Sequence, residues 1–161
     1  MTLVVVMGVT GSGKSTVGKL LAQRMGVPFA DADDFHSPES VAKMRAGVPL
    51  DDADRLPWLR TIGSWLAEHE GAGAVVTCSA LKRVYRDMLR HATPDVTFLH
   101  LDGDKDVARQ RVAGRAGHFM PESLVDSQYA ALEPLQEDER GVVVDFARPV
   151  PDIVDEVVSK F

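Results

Sequence analysis

The stretch "GVTGSGKS", Gly8 to Ser15, fits the pattern G-x-x-x-x-G-K-[ST] with Gly8, Gly13, Lys14 and Ser15 in register. Its surroundings agree with the pattern. The apolar run Leu3 to Met7 reads as a strand feeding the loop, and a helical pattern leaves it from about Lys14. Such a turn aims successive backbone N–H groups and the positive end of a helix at one point, which suits phosphate oxygens. Gly8, Val9, Thr10, Gly11, Ser12, Gly13, Lys14, Ser15 and Thr16 are therefore assigned to a nucleoside triphosphate. Lys14 is expected to reach the β and γ phosphates and the Ser15 hydroxyl to hold Mg²⁺.

Outward from this loop, the short apolar runs Ala74 to Thr77, Val96 to Leu101 and Val142 to Val144 repeat the character of Leu3 to Met7. Continuous rather than alternating apolarity predicts strands buried on both faces. Pro28 to Asp31 reads as a weaker fifth strand. Helical patterns fill the gaps: Val17, Leu20, Leu21 and Met25 with Gly26 as C-cap, then Leu59, Ile62, Trp65 and Leu66 with Pro57 in the first turn. Two more follow Pro121 and Pro151. Alternation of strand and helix, without repeats or a linker, predicts one α/β domain over residues 1–161 built on a doubly wound parallel sheet.

Composition narrows the partners. Eighteen basic against twenty-four acidic residues give a net charge of −6, which disfavours nucleic acid, since phosphate neutralisation needs a basic surface. Cys78 is the only cysteine, so neither a disulfide framework nor a cysteine-rich zinc site is available. The N-terminal run "LVVVM" is too short for a signal peptide or a membrane span, and a cytoplasmic location without membrane contact is expected.

Switch GTPases and motor ATPases place an acidic residue at the end of a buried strand to organise Mg²⁺ and water. Here the third strand ends "VVTCSALK", and no N-K-x-D segment is present to read guanine. The acidic cluster lies instead at Asp31, Asp33 and Asp34 in "FADADDFHSPE". A small-molecule kinase needs such a carboxylate near the acceptor hydroxyl, cations for the acceptor and arginines over the moving phosphoryl. Along an extended segment Asp31 and Asp33 would point to opposite faces, one toward the Mg²⁺ shell and one toward a substrate. Asp34 is expected to serve a turn, with Ser37 as N-cap and Pro38 at N1 of a helix. Arg83 and Arg86 begin at the C-terminal edge of a parallel strand, where open α/β sheets bind ligands, whereas Arg90 is expected at the surface. Arg111 and Arg115, four apart, run into "AGHFM" between Gly114 and Gly117, which suggests a hinged lid over about 111–122. His118 would serve there in lid packing or in an acceptor contact.

Together these pieces resemble the bacterial gluconate kinases of the P-loop, nucleoside-monophosphate-kinase-like group. The matching blocks are "MGVTGSGKST" (7–16), "DADDFH" (31–36), "KMRAGVPLDDADRLPWL" (43–59), "CSALKRVYRDMLR" (78–90) and "GHFMPESLVDSQYAALEP" (117–134). The P-loop alone marks a superfamily; "PLDDADRLPWL" and "CSALKRVYRD" carry the gluconate resemblance. The resemblance implies a five-stranded parallel sheet of order 2-3-1-4-5 with a mobile lid, a homodimer, and ATP- and Mg²⁺-dependent phosphorylation of D-gluconate at its 6-hydroxyl. It also implies roles. Lys14 holds phosphate, Ser15 binds Mg²⁺ and Asp31 supports the metal through water. Asp33 orients the acceptor hydroxyl, and Arg111 and Arg115 close over the phosphates. Arg55, Arg83 and Arg86 would grip the sugar acid, with His36, His118 and Gln128 on its hydroxyls. Related kinases place their adenine loop where "DFARPVP", Asp145 to Pro151, stands here. Two alternatives are a shikimate kinase, against which Ser79-Ala80-Leu81 replaces that family's glycine cluster, and a nucleotide-dependent switch or binding module.

Overall fold

The computed structural model describes residues 2–114 and 123–161. At its centre, strand β1 (Leu3–Met7) is buried along its whole length. Val4 and Val6 face one core with Val17, Leu21 and Ile153, while Leu3, Val5 and Met7 face a second with Leu59, Ile62 and Leu89. Both sides of the strand are covered, so neither can be polar, and the run is continuous for that reason.

β3 (Ala74–Thr77) and β4 (Thr97–Asp102) flank β1 in parallel, with Val5 opposite Val76 on one side and Phe98 on the other. β2 (Phe29–Asp31) pairs outside β3, and β5 (Gly141–Asp145) outside β4. The order is β2-β3-β1-β4-β5, as expected. The chain moves to one side of β1 for β2 and β3 and to the other for β4 and β5, which opens a crevice at the C-terminal ends of the central strands. Helices α1 (Lys14–Met25), α5 (Lys105–Ala113) and α7 (Val150–Lys160) cover one face. α3 (Asp52–Glu68) and α4 (Arg83–Ala92) cover the other, and α2 (Pro38–Arg45) and α6 (Ser123–Ala131) complete the described helices. None of these is long and apolar enough to cross a membrane.

Several ends follow their sequence signals. Gly26, at φ 69°, closes α1 by donating its N–H to the Ala22 and Gln23 carbonyls. Ser37 caps α2 by accepting from Ser40 N–H at 3.1 Å. Three expectations shift. α3 starts at Asp52 rather than near Pro57, because Asp51 and Asp54 form a reciprocal capping box, and Pro57 is carried inside the helix. β5 is an edge strand, so Val143 is 55% exposed although its run reads as buried. The chain after β2 leaves the extended form at once: Ala32–Phe35 is a 3-10 turn capped by the Asp31 carboxylate.

Candidate active site

The loop between β1 and α1 is shaped by backbone that only glycine tolerates. Gly11 has φ +83°, and a Cβ there would stand 2.6 Å from the Ala108 carbonyl of α5. Gly13, at φ +90°, occupies the N-cap of α1 with no side-chain cap, so the first-turn N–H groups of α1 are left for a ligand. Val9 packs into the core and serves through its backbone. The Lys14 ammonium donates to the Gly8 and Val9 carbonyls at 3.0 Å each, curling along the inside of the loop. Thr16 lies exposed in the first turn of α1. From α6, Gln128 Oε1 accepts the Thr10 N–H, so this predicted acceptor contact braces the phosphate loop.

One cleft is lined by Lys14, Ser15, Asp31, Asp33, Ser79 and Gln128. Asp31 Oδ2 accepts from the Ser15 hydroxyl at 2.9 Å, and Oδ1 accepts from Asp33 N–H at 3.0 Å. The expectation that Asp31 and Asp33 face opposite ways is corrected here: the 3-10 turn rotates Asp33 back, and both carboxylates line the same cleft. The Asp33 side chain is 64% exposed, yet the protein crowded around the cleft, and then the charge of Asp31, raise its carboxyl above the ordinary aspartate range, with Lys14 and His36 opposing. The strand-end position after β3 is held by Cys78, whose thiol burial pushes up to about 12, so it stays protonated at neutral pH.

His36 reaches to 3.8 Å from Asp33 and stacks on Trp58, with ring centroids 4.3 Å apart at 12°. Trp58 is itself fixed by donating its indole N–H to the Ala32 carbonyl at 2.6 Å. Burial lowers the His36 pKa despite the neighbouring Asp33, so the ring is neutral near pH 7. Its Nδ1 is buried without a partner among the described residues. Arg55, three residues before Trp58 on α3, donates to the Tyr85 hydroxyl at 3.3 Å, which in turn donates to Asp52 at 2.6 Å. Trp58 and Tyr85 escaped the sequence reading, although the spacing of Trp58 from Arg55 puts both on one helical face.

The arginines of α4 are elsewhere. Arg83 makes two 2.7 Å bonds to Asp138 and a third to Gln136. Arg86 is wholly buried, paired with Glu139 at 2.7 and 3.0 Å and donating to the Ala80 carbonyl at 2.9 Å. Neither lines the cleft: the sealed, paired Arg86 departs from the expectation that it grips a substrate, while Arg83 is partly exposed and held by Asp138. The helical turn carries Arg86 inward beside Leu89, where an acid from the loop before β5 meets it. Arg90 also departs from its surface assignment, since it donates to Glu139 at 2.8 Å and lies over the Phe98 ring. Burial opposes ionisation of Glu139, but hydrogen bonds from Arg86, the Gln136 N–H and Arg90 win, and its pKa falls to about 2. Arg111 bridges the phosphate loop to the segment after β5, donating to the Gly11 carbonyl at 3.3 Å and the Phe146 carbonyl at 3.0 Å. Arg115 and His118, and the lid residues 115–122, lie outside the described residues.

Comparison with known proteins gives this geometry a setting. Residues 10–160 match the family model described as shikimate kinase. The chain is 45% identical over 159 residues to a gluconokinase of Gluconobacter oxydans, covering 98% of this chain and 89% of that one. A sugar kinase from Janibacter, solved without ligand, superposes with a TM-score of 0.93 at 48% identity over 99% of this chain and 93% of its own. A gluconokinase from Sinorhizobium meliloti does so with a TM-score of 0.89 at 47% identity, covering 98% and 90%.

Proposed function

The chain belongs to the gluconokinases, within the wider kinase family that the shikimate kinase model describes, and on that premise we propose that it moves the γ-phosphoryl of ATP to the 6-hydroxyl of D-gluconate. The observation that carries this reading is one cleft in which Lys14, the Ser15–Asp31 pair and Asp33 stand together. Donor phosphates and acceptor hydroxyl then meet within reach of one another, and positioning of this kind supplies much of the barrier reduction in phosphoryl transfer.

The backbone N–H groups of the loop and Lys14 hold the β and γ phosphates. Ser15 Oγ and Asp31 Oδ2 offer hard oxygen donors 2.9 Å apart, which fits Mg²⁺, an ion that keeps several waters and takes one or two carboxylates with phosphate oxygens. When bound, Mg²⁺ neutralises charge on those phosphates. Ser15 would ligate it and Asp31 would support it through water. Asp33 accepts the hydrogen bond of the 6-hydroxyl, orients its oxygen for in-line attack and takes up its proton as the ester forms. The raised pKa of Asp33 brings it nearer to the range of a useful base. His36, locked against Trp58, holds a chain hydroxyl, and Arg55 meets the sugar acid. Gln128 keeps the loop shaped around the phosphates, while Arg111, with Arg115 and His118 on sequence grounds, closes the donor side. A cytoplasmic homodimer completes the proposal on family grounds, and light scattering behind a sizing column tests the dimer.

The shikimate alternative is disfavoured by Ser79-Ala80-Leu81 in this sequence and, separately, by relatives at 41% and 45% identity that are named gluconokinases. The test is the product. With ATP, Mg²⁺ and gluconate, the ³¹P signal of a new monoester should split into a triplet through the C6 methylene protons. A doublet, from a secondary ester, or no ester at all would overturn the reading.

A further inference from the structure

The acceptor carries its only charge on a carboxylate, at the opposite end of the sugar-acid chain from the hydroxyl that Asp33 receives. Asp33 and Asp31 are both acidic, so that charge must be met by cations away from the phosphate loop. Arg83 and Arg86 are committed to Asp138 and Glu139. Lys82 is different: half-buried, it pairs with no carboxylate among the described residues. Its ammonium lies 5.8 Å from the centroid of the Tyr85 ring, and the Arg55 guanidinium lies 5.6 Å from the same centroid.

Electrostatics favours an anion beside this pair. Lys82 is the N-cap residue of α4, where the helix end is positive, and Arg83 follows it directly. Asp138 and Asp87 compensate Arg83, so the Lys82 ammonium and the helix end remain to attract an anion placed beside them. The two cations are also tied to the reacting end. Arg55 shares α3 with Trp58, Trp58 stacks on His36, and His36 lies 3.8 Å from Asp33. Tyr85 lies between, accepting from Arg55 and donating to Asp52, whose carboxylate stands 3.8 Å from Arg55 and compensates it in part, so Lys82 carries the charge that no carboxylate meets among the described residues.

We propose that Lys82 is a specificity-determining residue which, together with Arg55, receives the acceptor's carboxylate beside the Tyr85 ring. The proposal rests on the gluconate reading above. It assigns to Lys82 the discrimination between a sugar acid and a neutral sugar of the same length.

The test is Lys82→Met, which keeps an unbranched stem against Tyr85 and removes the charge. KM is measured for gluconate and, as substrate or competitive inhibitor, for its neutral amide, in wild type and variant. We expect KM for gluconate to rise about tenfold or more, as befits loss of one charged contact, with kcat, KM for ATP and the unfolding temperature unchanged. The affinity for the amide should not change, and Lys82→Arg should restore part of the loss. No rise with gluconate, or an equal rise with the amide, overturns the assignment of Lys82. A wild-type enzyme that ignores gluconate overturns the functional reading itself, and this proposal with it.

Discussion

The loops after β1 and after β3 leave neighbouring strands at the same end of the sheet, and the cations they deliver have opposite fates. Lys14 lines the cleft, held to the Gly8 and Val9 carbonyls of its own loop. Arg86 is sealed from solvent and fastened to Glu139, 53 residues further along the chain. Both lie past the C-terminal edge of a parallel strand, where ligands are expected. The difference lies in what fixes them. Glycines at positive φ build the first loop locally, so exposure of Lys14 follows from its neighbours in sequence. The second loop is built from afar: Ala80, itself at φ 44°, has its carbonyl held by Arg86, and Leu81 O accepts from Glu133 N–H at 2.7 Å. The cleft residues therefore come from the first loop and the turn after β2, to which the proposed function assigns the chemistry, while Arg86 is part of the frame that holds the loop after β3.

The largest effect should come from Asp33→Asn, which keeps the shape and removes the proposed base. We expect turnover to fall roughly 10²- to 10⁴-fold with ATP affinity nearly unchanged, and near-normal turnover would break the contrast between the two loops. The wild-type acid limb of kcat/KM should lie at higher pH than an ordinary aspartate would give, because the Asp33 carboxyl is raised, and it should vanish in the variant.

Arg86→Ala comes next, and its effect should be on stability. It strands the buried Glu139 carboxylate, and losing one partner of such a pair costs roughly 3–5 kcal/mol in urea denaturation. Replacing both with apolar side chains, Arg86→Met with Glu139→Leu, should recover much of that. The same pair sets an acid dependence. Glu139 is depressed from 4.5 to about 2, so its contribution is present above pH 4.5 and is lost as pH falls through about 2. The wild type should lose roughly 3 kcal/mol across that window, and the double variant should not.

The smallest effect should be that of Arg83→Ala. Its partners Asp138 and Gln136 lie at the surface, so KM for gluconate and the unfolding temperature should stay close to the wild-type values. A large rise in KM would return this arginine to the acceptor.

Sequence made the phosphate loop and the parallel sheet legible, since glycine geometry and two-sided apolar runs are local signals, whereas the strand order came with the resemblance to gluconate kinases. It misplaced the relation of Asp31 to Asp33, because alternation assumes a strand that continues, and the Asp31 carboxylate ends it by capping a 3-10 turn. The start of α3 was written in "DDAD", yet Pro57 drew the boundary instead. Arg86 could not be told from a solvated helix face: its burial depends on Glu139, which stands in the run "EDER" and resembles any surface acid. Lys82 stands directly before Arg83 in "LKRVYR", and nothing local separates it from those arginines; only their pairing with Asp138 and Glu139 does.

The most direct measurement is ADP release with ATP and Mg²⁺ against a panel of gluconate, shikimate, glucose and a nucleoside monophosphate. Strong stimulation by gluconate alone is the expected result. Stimulation by shikimate or a nucleoside monophosphate instead, or turnover indifferent to any acceptor, would contradict the assignment of this cleft to a sugar acid.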